Sequence, residues 1–349
     1  METLARGGHE CVVVALDEKY AGNGRERPTK LSSRSSERVE TRVFVGLAEM
    51  VRGLEATLVE RTWDWVILSE DSTCSLLSLA LRRRTGAIGY VAHSASTLPV
   101  GPYRFFPYDE GAGLFEKVDR IFTISKWLRD YICEWLRCPA VVIRAPMYGQ
   151  GPFPWLGKAD GQFVTLINAS TIKGLPVFLA LAGQRPAVSF AASIGWATTS
   201  ADLSAMRAVG NLALMDPVDD IDEIYRKTRV LLVPSLWSEG FPAVVVEAML
   251  RGIPVVASDQ GGLPEAKLGV DHILPVSGID GYRSDQLDEN LNPRPVLTRT
   301  TDIRPWVETL DLLVDDASTY ADLSRRSRAA ALSFVDALDE NEFTRLLEQ

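Results

Sequence analysis

Residues 233–258 read VPSLWSEGFPAVVVEAMLRGIPVVAS, and their reading decides the fold. The apolar run closing at Pro234 is expected to be a buried strand, the residues from Ser235 to Phe241 a loop, and Ala243–Arg251 a helix. Pro242 suits the start of that helix, where a missing N–H costs nothing. Gly252 and Pro254 break the helix, and Ile253–Ser258 reads as a second strand. Strand, loop, helix and strand make a βαβ unit, which implies a parallel sheet. The free amides at the helix start, with Gly240 beside them, can face an anionic or hydroxyl-rich ligand. Glu239 in the loop and Glu247 in the second helical turn offer carboxylates to sugar hydroxyls.

The same alternation extends in both directions. Toward the C-terminal side, 306–349 reads as helix throughout. Toward the N-terminal side the second half has strands at Phe163–Asn168, Val188–Ala192 and Val230–Pro234, with helices at Leu175–Ala182 and Ile224–Thr228. The first half has strands at Cys11–Leu16, Trp65–Ser69, Ile88–His93, Arg120–Ile124 and Val141–Arg144. Helices are expected there at Thr41–Glu60, Thr73–Arg84 and Lys126–Leu136. Residues 145–161, dense in Pro and Gly, read as a linker. The segment Tyr20–Glu40 reads as a mobile loop and Gly278–Thr301 as a second long loop. A chain of 349 residues suits two α/β domains. We place them at 1–150 and 151–335, with a last helix over 336–349 packing back on the first. The opening, LARGGHECVVV from Leu4, reads as a helix tail running into a strand. The strand and glycine turn that normally start a doubly wound domain are not found before it.

Composition removes several classes. A net charge of −9 argues against a duplex nucleic-acid partner, which would reward a basic face. Cys11, Cys74, Cys133 and Cys138 match no zinc spacing and read as reduced thiols of a cytoplasmic protein. No apolar run follows basic residues at the N-terminus, so no secretory leader is expected. The apolar stretches fall short of the roughly 20 residues that span a bilayer. His9, His93 and His272 are too dispersed for a His-based metal site.

Two further turns sit where strands of a doubly wound sheet end, at the edge where ligands bind. Asn168, Ser170, Lys173 and Gly174 lie in INASTIKGLP, and Gly261 and Gly262 in DQGGLPE, whose amides can contact phosphate. In the first half His93 closes a strand, and Ser125 follows the next one, where it can cap a helix. Asp220 and Asp222 spell Asp-x-Asp, but they lead a helix whose N-terminus favours carboxylates, so no metal is assigned there. His93 and Asp71 do not form a hydrolase pair, since no Gly-x-Ser-x-Gly is present.

Set between Pro-Ser, Glu-Gly-Phe-Pro and Gly-Ile-Pro-Val-Val-Ala-Ser, the two glutamates with seven residues between them resemble the retaining GT-B glycosyltransferases of family 4. The resemblance is densest from Leu166 to Glu265. It implies two Rossmann-like domains facing an interdomain cleft, the second binding a nucleotide diphosphate sugar. By resemblance Glu239 holds the donor sugar, Glu247 the ribose and Lys173 the diphosphate, with Asn168, Ser170, Gly174, Ser235, Gly240, Phe241, Pro242, Ala243, Gly261 and Gly262 around them. The family commonly has arginine where Asn168 stands. His93 looks like the family histidine near the reacting sugar, and Ser125 like its serine after the next strand. Glu239, His93 and Lys173 are the implied catalytic residues, with Glu239 and Lys173 expected to be exposed in the cleft. The implied reaction needs no cofactor or metal, uses UDP-sugar by preference, and retains anomeric configuration. A peripheral membrane contact follows if the acceptor is a lipid. The alternatives are a sugar-nucleotide epimerase of the same fold and a degenerate partner of another transferase. The Ala-, Arg- and Val-rich style points to a bacterial source.

Overall fold

The structure, a computed structural model, describes residues 2–16, 33–36, 39–108 and 110–349. The chain forms two compact units. One comprises Met1–Ile124, Arg129–Ala145 and Asp339–Gln349, the other Ser125–Leu128 and Pro146–Leu338.

The first unit opens with α1 (Glu2–Arg6) and β1 (Cys11–Leu16), followed by β2 (Ser33–Ser36) and β3 (Val39–Phe44). β1 runs parallel to β3 from Cys11 opposite Val39 to Leu16 opposite Phe44, with β2 antiparallel on the far side of β3. Next come α2 (Leu47–Glu60), β4 (Trp65–Ser69), α3 (Ser75–Arg82), β5 (Ala87–Ala92), α4 (Gly111–Phe115), β6 (Arg120–Thr123), α5 (Lys126–Trp135) and β7 (Ala140–Val142). β4 to β7 form a separate parallel sheet in chain order. Among the described residues no strand joins β1 to β4.

Two expectations are corrected here. The helix expected from Thr41 begins only at Leu47, because Val39, Val43 and Phe44 join the parallel ladder beside the Val-rich β1. Gly46, at φ 98°, then separates strand from helix. The loop expected over Tyr20–Glu40 lies outside the described residues up to 32 and at 37–38, whereas Ser33–Ser36 and Val39–Glu40 are strand.

The second unit contains β8 (Phe163–Leu166), α6 (Leu175–Gln184), β9 (Phe190–Ser193), α7 (Ser200–Arg207), β10 (Leu212–Met215), α8 (Asp222–Tyr225) and β11 (Thr228–Val233). It continues with α9 (Ala243–Leu250), β12 (Val255–Ser258), α10 (Leu263–Ala266), β13 (Ile273–Leu274), β14 (Gly281–Leu287), β15 (Pro293–Val296), α11 (Arg304–Asp315) and α12 (Ala317–Asp336). One six-stranded parallel sheet has the order β10-β9-β8-β11-β12-β13, that of a dinucleotide-binding doubly wound domain. Its strands read as near-continuous apolar runs because helices cover both faces; Val230, Leu231, Val255 and Ala257 are fully buried.

The long loop expected over Gly278–Thr301 is instead a hairpin, β14 against β15, with Gly281 opposite Val296. Its turn is fixed by Asp288, whose carboxylate accepts from the Asn290 and Asn292 amides at 2.9 and 2.8 Å. Such an Asx turn inside a Pro- and Asn-rich stretch hides a strand signal. The helix expected at Ile224–Thr228 ends at Tyr225, and Thr228 already begins β11, its hydroxyl donating back to the Ile224 carbonyl at 2.9 Å. Strand β10 had no sequence expectation, since LALM is too short and unpunctuated to register.

The last helix, α13 (Glu342–Glu348), belongs to the first unit. Phe343 and Leu347 pack on the cluster of Leu4, Ala5, Cys11 and Val39, and also on that of Val91, Phe122 and Ile143. The Trp65 indole donates to the Leu347 carbonyl at 2.9 Å.

Candidate functional site

In the second unit β8 and β11 lie side by side, while β9 and β12 depart to opposite sides. Ligands of open α/β sheets bind at such a switch point, beyond the C-terminal strand ends. The loop after β8 turns at Asn168, held at φ 57°, a left-handed conformation that Asn tolerates better than most residues. Its side-chain oxygen accepts from the Ala197 amide at 3.3 Å. A short 3-10 turn, Thr171–Lys173, follows, with the buried Ser170 at its start and Gly174 at its end. Gly174 has φ 86°, and a Cβ there would lie 1.9 Å from the Pro234 carbonyl oxygen, so this position admits only glycine without movement.

That close approach binds the two loops together. The Ile172 carbonyl accepts from the Leu236 and Trp237 amides at 3.0 and 3.1 Å. The loop after β11 therefore delivers Glu239 to Lys173, whose ammonium donates to the carboxylate at 2.7 Å. The same carboxylate oxygen accepts from the Ser235 hydroxyl at 2.7 Å, and the Lys173 ammonium stands 5.1 Å from the Trp237 ring centre, within cation–π reach. Both partners are more enclosed than expected: their side chains are 17 % and 9 % exposed. The correction has a simple cause, since the loops close over the pair instead of splaying from it. In such surroundings the charges are screened little, and removing one leaves the other uncompensated. Asn168, Lys173, Ser235, Glu239, Pro242 and Ala243 line a cavity of about 240 Å³ at the strand ends.

The remaining donor-side candidates lie around this pair. Pro242 is the residue just before α9, with Ala243 as its first. Gly240 is buried, and Phe241 lies 5.7 Å from the Phe334 ring. The Gly262 amide donates to the Glu239 carbonyl at 2.6 Å, so in this structure it supports the loop rather than pointing to open space. A Cβ at Gly261 would fall 2.3 Å from the Glu239 carbonyl oxygen, and one at Gly262 1.8 Å from that of Gly240. Both glycines therefore permit close packing under the loop. Glu247 does not line the cavity. On α9 its carboxylate accepts from the Tyr225 hydroxyl at 3.2 Å, and burial raises its pKa. Arg251 spans this corner, paired with Asp222 and stacked 5.1 Å from the Tyr225 ring. Asp222 is thereby engaged as a structural ion-pair partner, and Asp220 accepts from its amide at 3.0 Å.

In the first unit His93 directly follows β5 and is half-exposed. Its Nδ1 lies 3.1 Å from the Ser69 hydroxyl and 3.8 Å from Glu70. Partial desolvation lowers its pKa, and burial raises that of Glu70. The Glu70 carboxylate also accepts from the His93 amide at 3.1 Å. Sequence reasoning missed Ser69 and Glu70; the only signal was the polar Ser-Glu-Asp closing a strand, and Glu70's φ of 53° needs coordinates to see. It also missed Tyr225 and Trp237, which read as ordinary apolar residues. Asp71 turns away, accepting from the Ser75 and Leu77 amides at 3.0 and 2.8 Å. The Ser125 hydroxyl accepts from the Leu128 amide at 3.0 Å, a helix cap.

The fold coincides with that of known proteins. Residues 163–279 match the family model of glycosyl transferases group 1. The α/β fold with parallel sheets matches GT-B glycosyltransferase structures. Sucrose-phosphate synthase from Thermosynechococcus elongatus superposes over 95 % of this chain and 86 % of its own with a TM-score of 0.67 at 15 % identity. The Anabaena protein HepE, in complex with UDP-glucose, does so over 89 % and 84 % with a TM-score of 0.62 at 17 % identity. Among curated relatives, an uncharacterised glycosyltransferase of Methanocaldococcus jannaschii is 30 % identical over 50 % of this chain and 46 % of its own. The D-inositol 3-phosphate glycosyltransferase of Mycolicibacterium smegmatis is 38 % identical over 28 % and 23 %. The chain thus spans less than half the length of these two relatives.

Proposed function

We propose that this protein transfers a sugar from a nucleotide diphosphate sugar, UDP-sugar by preference, to an acceptor hydroxyl with retention and without a metal. The observation that carries the reading is the Lys173–Glu239–Ser235 cluster at the β8/β11 switch point. HepE, of the same fold, is described in complex with UDP and with UDP-glucose. On this reading an arriving diphosphate competes with Glu239 for the Lys173 ammonium, and the freed carboxylate accepts from the sugar hydroxyls. Glu247 takes the ribose. As the anomeric C–O bond breaks, negative charge grows on the leaving diphosphate, where Lys173 and the backbone amides of the surrounding turns stabilise it. The acceptor oxygen bonds the anomeric carbon on the face the diphosphate leaves, and its proton passes to a diphosphate oxygen. The sugar passes through an oxocarbenium-like state, beside which His93 is proposed to stand.

Thermal-shift measurements against UDP, GDP, ADP, dTDP and CDP test the donor. Binding to the folded state raises Tm as RT ln(1 + [L]/Kd). A shift with UDP that disappears in Lys173→Ala is expected; no shift with any nucleotide overturns the reading. Turnover is expected to persist in excess EDTA, and loss restored by Mg²⁺ or Mn²⁺ would refute metal independence.

A further inference from the structure

Two consecutive residues hold His93, one by its side chain and one by its backbone. The Ser69 hydroxyl lies 3.1 Å from Nδ1 of the ring, and the Glu70 carboxylate accepts from the His93 amide at 3.1 Å. Successive side chains of a strand point to opposite faces. Ser69, the last residue of β4, and Glu70 could therefore not both reach one residue if the strand ran on. It breaks instead, because Glu70 takes φ 53°. A left-handed backbone is strained for a residue other than glycine, and it persists only where the surroundings over-determine it. Here they do. The same Glu70 oxygen accepts from the Thr97 hydroxyl at 3.4 Å, so the exit of β4 is tied to both ends of the turn that follows β5.

We propose that Ser69 and Glu70 are positioning residues for His93: Ser69 fixes the ring's tautomer and Glu70 its backbone, so that Nε2–H is presented to substrate as a hydrogen-bond donor. The choice of tautomer follows from the partners. Desolvation lowers the His93 pKa, so near neutral pH the ring is uncharged and carries a single N–H. Glu70 stands 3.8 Å from Nδ1, beyond hydrogen-bond reach. Among the described residues the Ser69 hydroxyl has no partner except Nδ1. Its proton therefore goes to Nδ1, and the ring's own proton sits on Nε2. Nε2 itself has no partner among the described residues, which leaves it as the ring's one polar atom available to a ligand. The role in transfer rests on the transferase reading, in which Nε2–H donates to a hydroxyl oxygen of the transferred sugar. An imidazolium there would repel the oxocarbenium-like sugar, whereas a neutral N–H does not.

The chain has three histidines, His9, His93 and His272, so proton–nitrogen correlation spectra of isotope-labelled histidine can resolve each ring and show which nitrogen is protonated. His93→Gln identifies the His93 signals. The wild-type ring is expected in the Nε2–H form, and Ser69→Ala is expected to give a mixture of both tautomers. The same variant should lower kcat for release of UDP from UDP-glucose about 10- to 100-fold, with little change in KM or in the thermal shift by UDP. Ser69→Thr keeps the hydroxyl and should restore both the tautomer and kcat. Glu70→Ala should likewise lower kcat, and Glu70→Gln, which keeps an acceptor oxygen for the His93 amide, should restore it. A wild-type ring protonated on Nδ1, or wild-type kcat in Ser69→Ala, overturns the proposal. Equal losses in Ser69→Thr and Ser69→Ala also overturn it, since the hydroxyl would then be irrelevant. The tautomer is read on the free protein, so the expected spectrum in a chain that binds no nucleotide would overturn the transferase reading alone.

Discussion

The two units use the same grammar of parallel strands and covering helices, yet one sheet is continuous and the other is in two pieces. In the second unit β8 lies in the middle of the sheet, bonded to β9 on one side and β11 on the other. The loops leaving β8 and β11 are therefore held side by side, and Ile172, Leu236 and Trp237 join them backbone to backbone. Among the described residues of the first unit β1 and β4 have no such shared neighbour. The polar group at the end of β4 and β5, Ser69, Glu70 and His93, is held by those two strands and by the loop after β5, where the Thr97 hydroxyl also donates to Glu70. A central strand thus does more than fill a sheet. It sets the spacing of the loops on either side, and with it the spacing of the side chains they carry.

The largest break in this comparison should come from the pair at the intact switch point. Lys173→Ala and Glu239→Gln are each expected to lower kcat/KM by about 10²–10³, the effect of deleting one preorganised charge-stabilising group. Each leaves one buried charge unpaired, so Tm should fall as well. The double variant should regain part of the Tm but none of the turnover. Regained turnover would reduce the pair to a structural role.

Next comes the packing that holds the loops together. Gly174→Ala is expected to destabilise by about 3 kcal/mol or more, combining a left-handed backbone with overlap against Pro234, measured by denaturant unfolding. Wild-type stability would mean that the two loops are not locked. Smaller, and aimed at the contrast itself, is a pair of truncations. Leu231→Ala in the fully buried β11 should cost about 2–5 kcal/mol. Val14→Ala, at a residue lining a cavity of about 610 Å³ beside β1 and β4, should cost under about 1 kcal/mol, because that side chain is only partly buried. Equal losses would show that the cavity is closed in solution.

The smallest effect is electrostatic. Burial raises the Glu247 pKa in the fold. A carboxyl so raised favours folding most below its unfolded pKa, and its contribution declines as pH rises through the folded value. Glu247→Gln is therefore expected to gain Tm relative to wild type as pH rises above about 4.3, the free glutamate value. The same change should weaken UDP binding if Glu247 holds the ribose. A difference in Tm that stays flat with pH would remove burial as the cause.

Much of this was legible in the sequence because it is local. The strand–loop–helix order around Glu239, the edge position of Lys173 and the helix cap at Ser125 each follow from residue type and short spacing. The hairpin at Gly281–Val296 and the strand at Val39–Phe44 were not legible. In the first, a Pro- and Asn-rich turn hides the strand signal; in the second, pairing with β1 overrides what the local composition suggests. The ion pair between Lys173 and Glu239 joins residues far apart in the chain, and no periodicity announces it. Ser69 and Glu70 became visible only when β4 and β5 were set in register, Leu68 opposite Tyr90 and Ser69 opposite Val91.

The placement of α13 bears on how the molecule is made. Its Phe343, Leu346 and Leu347 supply part of the core of the first unit, so that unit is not finished when the ribosome has passed Ala145. The roughly two hundred residues between must first be synthesised, which takes about 10–40 s at roughly 5–20 residues per second. During that interval the second unit can fold to completion while the first waits with Ile67 and Phe122 short of their partners. The unit translated ahead of the other is thus among the last to mature, and a nascent chain stalled before α13 would expose the apolar face that chaperones bind.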